Sequence, residues 1–266
     1  MEIVVCIKPV LDPDLPPVKF RVDPEKNWVL PPEGIPLVIN PYDALAVEAA
    51  LRIKDAKKGK VTVITLGNPS AEGVMRKALA MGADEGLILS DPAFEESDGF
   101  ATAYLLSLAI KKIGKYDLIL CGRQAADWDV GMVGSAMAEY LGTSVMTRAK
   151  EIGVLDGKLK VERAVTNGFE TFEAVLPAVV TMSSEFGQAR IPSGWGIINA
   201  AKKKIPVWDG AQLGYDLSKV GKGAVRNKLV KLYLPSYERK CQMIGGKDAA
   251  DAAASLADKI AELKPS

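Results

Sequence analysis

A chain of 266 residues with 48% hydrophobic and 25% charged side chains is long enough for one large or two small domains around a sizeable core. A net charge of +1 argues against the broad basic footprint of a nucleic-acid binder, so no nucleic acid is expected as a partner. The absence of any histidine excludes Ser-His-Asp and Cys-His catalysis, imidazole proton shuttles and histidine metal sites.

The three cysteines, Cys6, Cys121 and Cys241, are far apart and form no CxxC pair, so no metal site is expected and the thiols are read as reduced. The start "MEIVVCIKPV" has a short apolar run without a basic flank and reads as a first strand rather than a signal peptide. No apolar run approaches the roughly 18 residues of a membrane span. A cytoplasmic protein is therefore expected. No catalytic side chain stands out, and any chemistry falls to a bound cofactor.

In chain order, "IVVCI" (3–7) reads as a strand, and 8–39 as a Pro-rich excursion with room for a short hairpin. "NPYDALAVEAALRIKDA" (40–56) reads as a helix with Asn40 as N-cap, Pro41 in the first turn and Asp43 near the positive helix end. "VTVITLG" (61–67) is a strand and "SAEGVMRKALAMG" (70–82) a helix capped by Ser70 and stopped at Gly82. A strand at 86–90, a helix from Asp98 to Gly114, a strand at 116–122 and a helix from Asp129 to Gly142 follow. This alternation predicts parallel βαβ units and an α/β fold with an open, mostly parallel sheet flanked by helices.

After 150 the pattern changes. "KLKVERAV-TNG-FETFEAVL" reads as a hairpin turning at Asn167-Gly168, and 177–182 as a strand extending the sheet with antiparallel partners. Residues 198–231, with eight Lys/Arg against two Asp, read as an extended arm, and 247–263 as a helix with an apolar stripe through Leu256, Ile260 and Leu263. The expected division is 1–197 for the α/β domain, including the 158–182 strands, and 198–266 for arm and helix.

Three turns leave the carboxyl ends of strands, at Lys8-Pro9, Leu66-Gly67 and Cys121-Gly122, where ligands bind in an open parallel sheet. The stretch "CGRQAADWDVGMVG" (121–134) follows a strand and opens a helix, offering Gly122, Gly131 and Gly134 and free amides to a phosphate without a Walker lysine. Plainer readings stand beside this one. Asn40 and Asp129 serve as N-caps with no ligand, and the glycines serve turns and close packing. Asp127 and Asp129 would repel phosphate, so they bind ribose hydroxyls or cap the helix. Cys121 is a buried strand residue. The lysines at 202–204 form a solvated surface, and the last helix covers its own sheet.

The residues then identify a family. "VCIKPV", "INPYDALAVEAALRIKD", "RKALAMGAD", "DLILCGRQAADWDVGMVG", "VERAVTNGFETFEAVLPAVVT" and "NAAKKKIPV", in that order, resemble the electron transfer flavoprotein β subunit along nearly the whole chain. The resemblance implies a domain of adenine-nucleotide-alpha-hydrolase-like, Rossmann-like fold whose C-terminal arm and helix dock on an α subunit in a heterodimer. It implies a carrier that passes electrons from a flavin dehydrogenase, such as an acyl-CoA dehydrogenase of fatty-acid β-oxidation, to a quinone oxidoreductase or a ferredoxin. FAD is implied mainly on the α subunit. The β pocket is implied to hold AMP, or in bifurcating members a second FAD that takes hydride from NADH.

Carried over by position, the pocket comprises Cys6 with Lys8, then Asn40, Pro41, Tyr42 and Asp43, Leu66 with Gly67, and Gly122 through Val133. That last stretch includes Arg123, Gln124, Ala125, Asp127, Asp129, Val130, Gly131 and Met132. The ending "VGMVG" resembles the bifurcating form of the loop, which favours FAD. Three departures stand out. Thr166 replaces a usual acid, the Pro-rich stretch at 10–36 is long, and "RIPSGWGII" carries Trp195 where a partner-recognition leucine is usual. Trp195 is either a docking anchor or an internal packing residue. The rival class is a stand-alone AMP- or ATP-binding sensor of the universal-stress-protein type. A nucleotide-dependent ligase lacks its SGGxDS loop here.

Overall fold

The computed structural model describes residues 1–155, 157–235 and 241–263. The β-branched run after Met1 forms β1 (Glu2–Cys6). The Pro-rich excursion holds β2 (Pro9–Val10), a hairpin of β3 (Arg21–Asp23) and β4 (Trp28–Leu30), and β5 (Val38–Ile39), which pairs back onto β2. Then come α1 (Pro41–Lys57), β6 (Lys60–Leu66), α2 (Glu72–Met81), β7 (Glu85–Leu89), α3 (Gly99–Ile113), β8 (Leu118–Gly122) and α4 (Val133–Leu141). The second half adds β9 (Ser144–Leu155), β10 (Lys158–Val165), β11 (Gly168–Val175), β12 (Ala178–Met182), α5 (Gly194–Lys202), β13 (Val207–Trp208), α6 (Gly210–Leu213) and α7 (Ala249–Glu262).

Among the described residues nine strands form one sheet in the order β11-β10-β9-β12-β8-β1-β6-β7-β13. From β9 to β13 all neighbours are parallel, and β9, β10 and β11 run antiparallel at one edge. The fold class is the expected one. Strands buried on both faces need apolar side chains on both, which is why β1 and β8 read as continuous apolar runs and β6 and β12 are broken only by threonines. One face packs Val5, Val63, Leu120 and Val180 against α1, α2 and Ala200 of α5. The other packs Val4, Ile64, Ile119 and Val179 against Leu105 of α3 and Met137 of α4.

Several elements differ from the sequence expectation. Residues 177–182 were expected to pair antiparallel, but β12 inserts between β8 and β9 and is parallel to both. The antiparallel partners attach one strand further out, through β9, which a mixed polar pattern conceals. Ser70 does not cap α2. It lies in a 3-10 turn, Pro69–Ala71, and donates its own amide to Asn68 Oδ1 at 3.0 Å. Residues 194–202 form α5, which runs across the division drawn at 197, and β13 beyond it joins the sheet edge. The glycines at 194 and 196 disguise this helix. Gly196 is required because a Cβ there would lie 2.2 Å from the carbonyl oxygen of Ala80 in α2. Arg76 of α2 holds the far end of α5, donating to Ala200 O at 2.8 Å.

The arm leaves the domain at a helix cap. Asp98 Oδ1 accepts the amides of Phe100 and Ala101 at 3.0 Å each, closing the first turn of α3. Its Oδ2 accepts the amides of Arg226 and Asn227 at 2.7 and 3.3 Å. The Arg226 guanidinium lies 4.3 Å from the centre of the Phe100 ring. Residues 236–240 of the arm lie outside the described residues. The side chains of Leu256 and Ile260 in α7, which is capped by Asp248, and of Leu263 at its C-terminal end are exposed, so the apolar stripe does not cover this chain's own sheet.

Candidate functional site

The carboxyl ends of β1 and β8 lie side by side, and the start of α1 is stapled across them. Asp43 is the staple. Its Oδ2 accepts the amide of Lys8 and its Oδ1 the amide of Gly122, both at 2.7 Å. The carboxyl is buried, and burial raises its pKa to about 7 against the opposing pull of its hydrogen bonds from Gly122, Asn40 and Lys8. Gly122 has no room for a side chain: a Cβ would sit 2.6 Å from both Asp43 Oδ1 and Tyr42 Cβ.

Asn40 was expected to cap α1 with its side chain, and it does not. Its Nδ2 donates to Gln124 O at 2.8 Å and its Oδ1 accepts the amide of Ala126 at 3.0 Å. The side chain is spent on the 122–133 loop instead, which it grips like a neighbouring strand. Lys8 reaches the same loop through an ion pair with Asp127 at 2.7 Å. Arg123 lies 4.9 Å from the centre of the Tyr42 ring.

Asp129 was expected to cap α4, but the helix begins four residues later, at Val133. Asp129 takes a left-handed backbone, φ 50°, and accepts Gln124 Nε2 at 2.7 Å, while its amide donates to Ala125 O at 2.9 Å. The loop closes on itself before the helix starts. Val130 and Met132 turn toward Gly99 at the start of α3, where a Cβ would meet them at 3.3 and 3.1 Å. Gly134 presses α4 onto the sheet: a Cβ there would lie 2.4 Å from Thr181 Cγ2 and 2.9 Å from Cys121 Sγ.

Two features leave this site open to an anionic group. No side chain among the described residues caps the first turn of α4, so its amides face outward at the positive end of the helix. The Nε of Arg123 is buried without a hydrogen-bond partner among the described residues. Both fit a nucleotide phosphate. A crevice of about 390 Å³ opens beside the loop, lined by Arg123, Gln124 and Gly131 and by three residues absent from the sequence reading, Thr147, Arg148 and Thr181.

The structure thus links Lys8, Asn40, Tyr42, Asp43 and the loop from Gly122 to Asp129 by direct contacts. Pro41 occupies the first turn of α1, and Val133 opens α4. Leu66 ends β6, one strand away, and Gly67 follows it. Cys6 and Cys121 are buried, the Cys6 thiol 3.7 Å from Met137 Sδ, and burial pushes both thiols up, so neither is an activated nucleophile. Trp195 stands apart on α5 and is 75% exposed, which rules out internal packing.

Fold and cleft define an α/β protein with an open parallel sheet and its crevice at the carboxyl ends of the central strands. The family model described as the electron transfer flavoprotein domain matches residues 27–213. The chain is 39% identical to the caffeyl-CoA reductase–Etf complex subunit CarD of Acetobacterium woodii, over 98% of each chain. It is 38% identical to the electron transfer flavoprotein subunit beta of Thermoanaerobacterium thermosaccharolyticum, again over 98% of each. It is 35% identical to the protein FixA of Azorhizobium caulinodans, over 97% of this chain and 93% of that one. The chain belongs to the electron transfer flavoprotein family, on its β-subunit and FixA side, and its role is in electron transfer. A β subunit of this kind implies an α-subunit partner. Among the described residues no helix is long and apolar enough to cross a membrane.

Proposed function

We propose that this chain is the nucleotide-binding β subunit of a heterodimeric electron transfer flavoprotein, and that its strand-end pocket holds the adenylate part of a second FAD rather than free AMP. The observation that carries the reading is the state of the 122–133 loop. Asn40 and Asp43 fix it from α1, while the amides at the start of α4 and the Nε of Arg123 remain free. Rigid amides aimed outward at a helix start bind phosphate without reorganisation. Adenine would lie toward Cys6 and Leu66, and Asp127 or Asp129 would meet ribose hydroxyls.

Bound there, the flavin of FAD supplies the redox chemistry. The residues of this chain bind and orient it, and none needs to exchange a proton. In the bifurcating form the hydride donor is NADH and a ferredoxin receives part of the electrons. In the simple carrier form a flavin dehydrogenase donates and a quinone oxidoreductase accepts. The similarity to a subunit of a caffeyl-CoA reductase complex supports a partner of the acyl-CoA dehydrogenase class. Trp195 and Ile191, both largely exposed, are the residues we assign to that contact. A stand-alone sensor would not leave the apolar side of α7 exposed.

The test is to produce the chain with its α subunit, denature the complex, and identify the released nucleotides by chromatography and absorbance. Two FAD per heterodimer are expected. One FAD with one AMP would mean that the pocket is structural, and one FAD with no second nucleotide would overturn the pocket assignment.

A further inference from the structure

We propose that Glu48 of α1 is a positioning residue for the dehydrogenase contact: through Arg190 it clamps residues 187–193, and so fixes Ile191 and Trp195 relative to the nucleotide loop. The inference rests on the reading of Ile191 and Trp195 as docking residues.

The segment needs a tie from outside itself. Residues 187–193 lead from a 3-10 turn at Ser184–Phe186 to α5 without regular structure. Among the described residues no amide in 188–193 donates to a backbone carbonyl. A stretch with so few backbone bonds opens easily. Phe186 and Ala189 pack against the core, but Ile191 is 90% exposed and contributes nothing that would hold the chain there.

Glu48 supplies the tie. Its Oε2 accepts the Arg190 amide at 3.1 Å and the Arg190 Nε at 2.7 Å, so one oxygen holds both the backbone and the side chain of the same residue. Its Oε1 accepts Arg52 Nε at 2.7 Å. Arg52 in turn donates to Gln188 O at 3.4 Å and lies 4.6 Å from the centre of the Phe186 ring. Asp55, a turn further along α1, accepts the Arg190 guanidinium at 3.0 Å. Glu48, Arg52 and Asp55 share one face of the helix and grip the segment at 186, 188 and 190.

The carboxylate is costly where it stands, since Glu48 is buried. Burial pushes its pKa up, but the hydrogen bonds from Arg190 and then from Arg52 outweigh burial and hold it below its ordinary value, so it is charged. A buried ion pair is weak evidence for stability, because an apolar residue of similar volume often serves a core as well. An apolar residue could not fix an arginine and its amide in one geometry. The same helix holds the nucleotide loop through Asn40 and Asp43. At 1.5 Å per residue roughly 7.5 Å of helix separates Asp43 from Glu48, so one rigid rod sets the docking residues against the pocket.

The experiment titrates the αβ complex as electron acceptor of an acyl-CoA dehydrogenase at saturating acyl-CoA, for the wild type, Glu48→Met, Asp55→Asn and Trp195→Ala. Hydrogen exchange of residues 187–193 is measured on each. Glu48→Met should speed exchange across the segment and raise the KM for the complex roughly fivefold or more, the cost of ordering one or two contact side chains on binding. Its kcat should stay within about twofold and its bound nucleotide should be unaltered, since only the binding of the dehydrogenase changes. Asp55→Asn makes the same change of charge and leaves Glu48 on Arg190, so its KM should stay within about twofold, as for an exposed pair. Unchanged exchange in Glu48→Met overturns the inference, and so does faster exchange with an unchanged KM. An Asp55→Asn effect equal to that of Glu48→Met also overturns it, by assigning the change to charge. A raised KM in Trp195→Ala beside an unchanged one in Glu48→Met leaves the docking reading standing and removes the inference alone. An unchanged KM in Trp195→Ala overturns the docking reading, and the inference with it. Should Glu48→Met not fold, Arg190→Gln removes the same side-chain bonds from the loop side and carries the same expectations.

Discussion

Asp43 joins the amide of Lys8 to the amide of Gly122, so that one carboxyl on α1 fixes the ends of two neighbouring strands. Replacing it with Asn leaves one oxygen for two amides and turns an NH2 group against a donor. An unsatisfied buried donor costs about 1–3 kcal/mol. For a chain of this size that corresponds to a fall in Tm of roughly 2–4 °C per kcal/mol. Thermal unfolding of Asp43→Asn, with nucleotide content measured alongside, checks this. An unchanged Tm would mean that the staple contributes nothing.

The same carboxyl gives a pH dependence. Its folded pKa of about 7 lies above its ordinary value of 3.8, so the folded chain keeps a proton that the unfolded chain has lost. The contribution is fully present below the unfolded value and disappears as pH rises to about 7. Stability from this group therefore declines between those limits and is level above them. Unfolding free energies across that range should show a shallower decline for Asp43→Asn than for the wild type. Identical slopes would place the titration elsewhere.

Gly134→Ala sets helix preference against packing. In an open helix alanine would be favoured by about 0.5–1 kcal/mol. Here its Cβ meets Thr181 and Cys121 well inside contact distance. Overpacking of this kind costs about 1–3 kcal/mol, so packing wins. A lower Tm and reduced nucleotide retention are expected, and a raised Tm would show that α4 can lift off the sheet without penalty.

We propose that the exposed stripe of α7 docks on the α subunit. Leu256→Ser with Ile260→Ser should leave the Tm of the lone chain unchanged within a degree or two. It should weaken association by well over tenfold, since burying each such side chain contributes about 1.5–3 kcal/mol. Size-exclusion and titration experiments on the two subunits read this directly. A lone chain that melts earlier would show that the helix packs on its own domain.

Trp195→Ala should raise the KM for the partner dehydrogenase at least tenfold in a complex whose nucleotide content is unaltered. Anchoring aromatics at interfaces commonly contribute about 2 kcal/mol or more. Loss of bound nucleotide in this variant would instead tie Trp195 to the pocket.

The parallel core was legible in the sequence because strands buried on both faces cannot hide their apolar runs, as "IVVC" and "LILC" show. The loop from Gly122 to Val133 was legible from its glycines and its position after a strand. Its wiring was not. Asn40 reads as a cap by local preference, and only the fold brings residues 124–126 within its reach. Asp129 misleads for a related reason, since acids favour helix starts and left-handed turns alike. Arg148 and Thr181 gave no sequence signal at all. Each looks like an ordinary strand residue, and their meeting depends on a register slip between two strands far apart in the chain.

Asp98 answers two questions with one side chain. Serine, threonine or asparagine would cap α3 about as well, but each offers a single acceptor oxygen where four amides converge. A substitution that looks harmless to the helix would therefore release the root of the arm at Arg226 and Asn227. The course of the chain at Arg226 and Asn227 is encoded some 130 residues upstream of it, in the spelling of a helix cap.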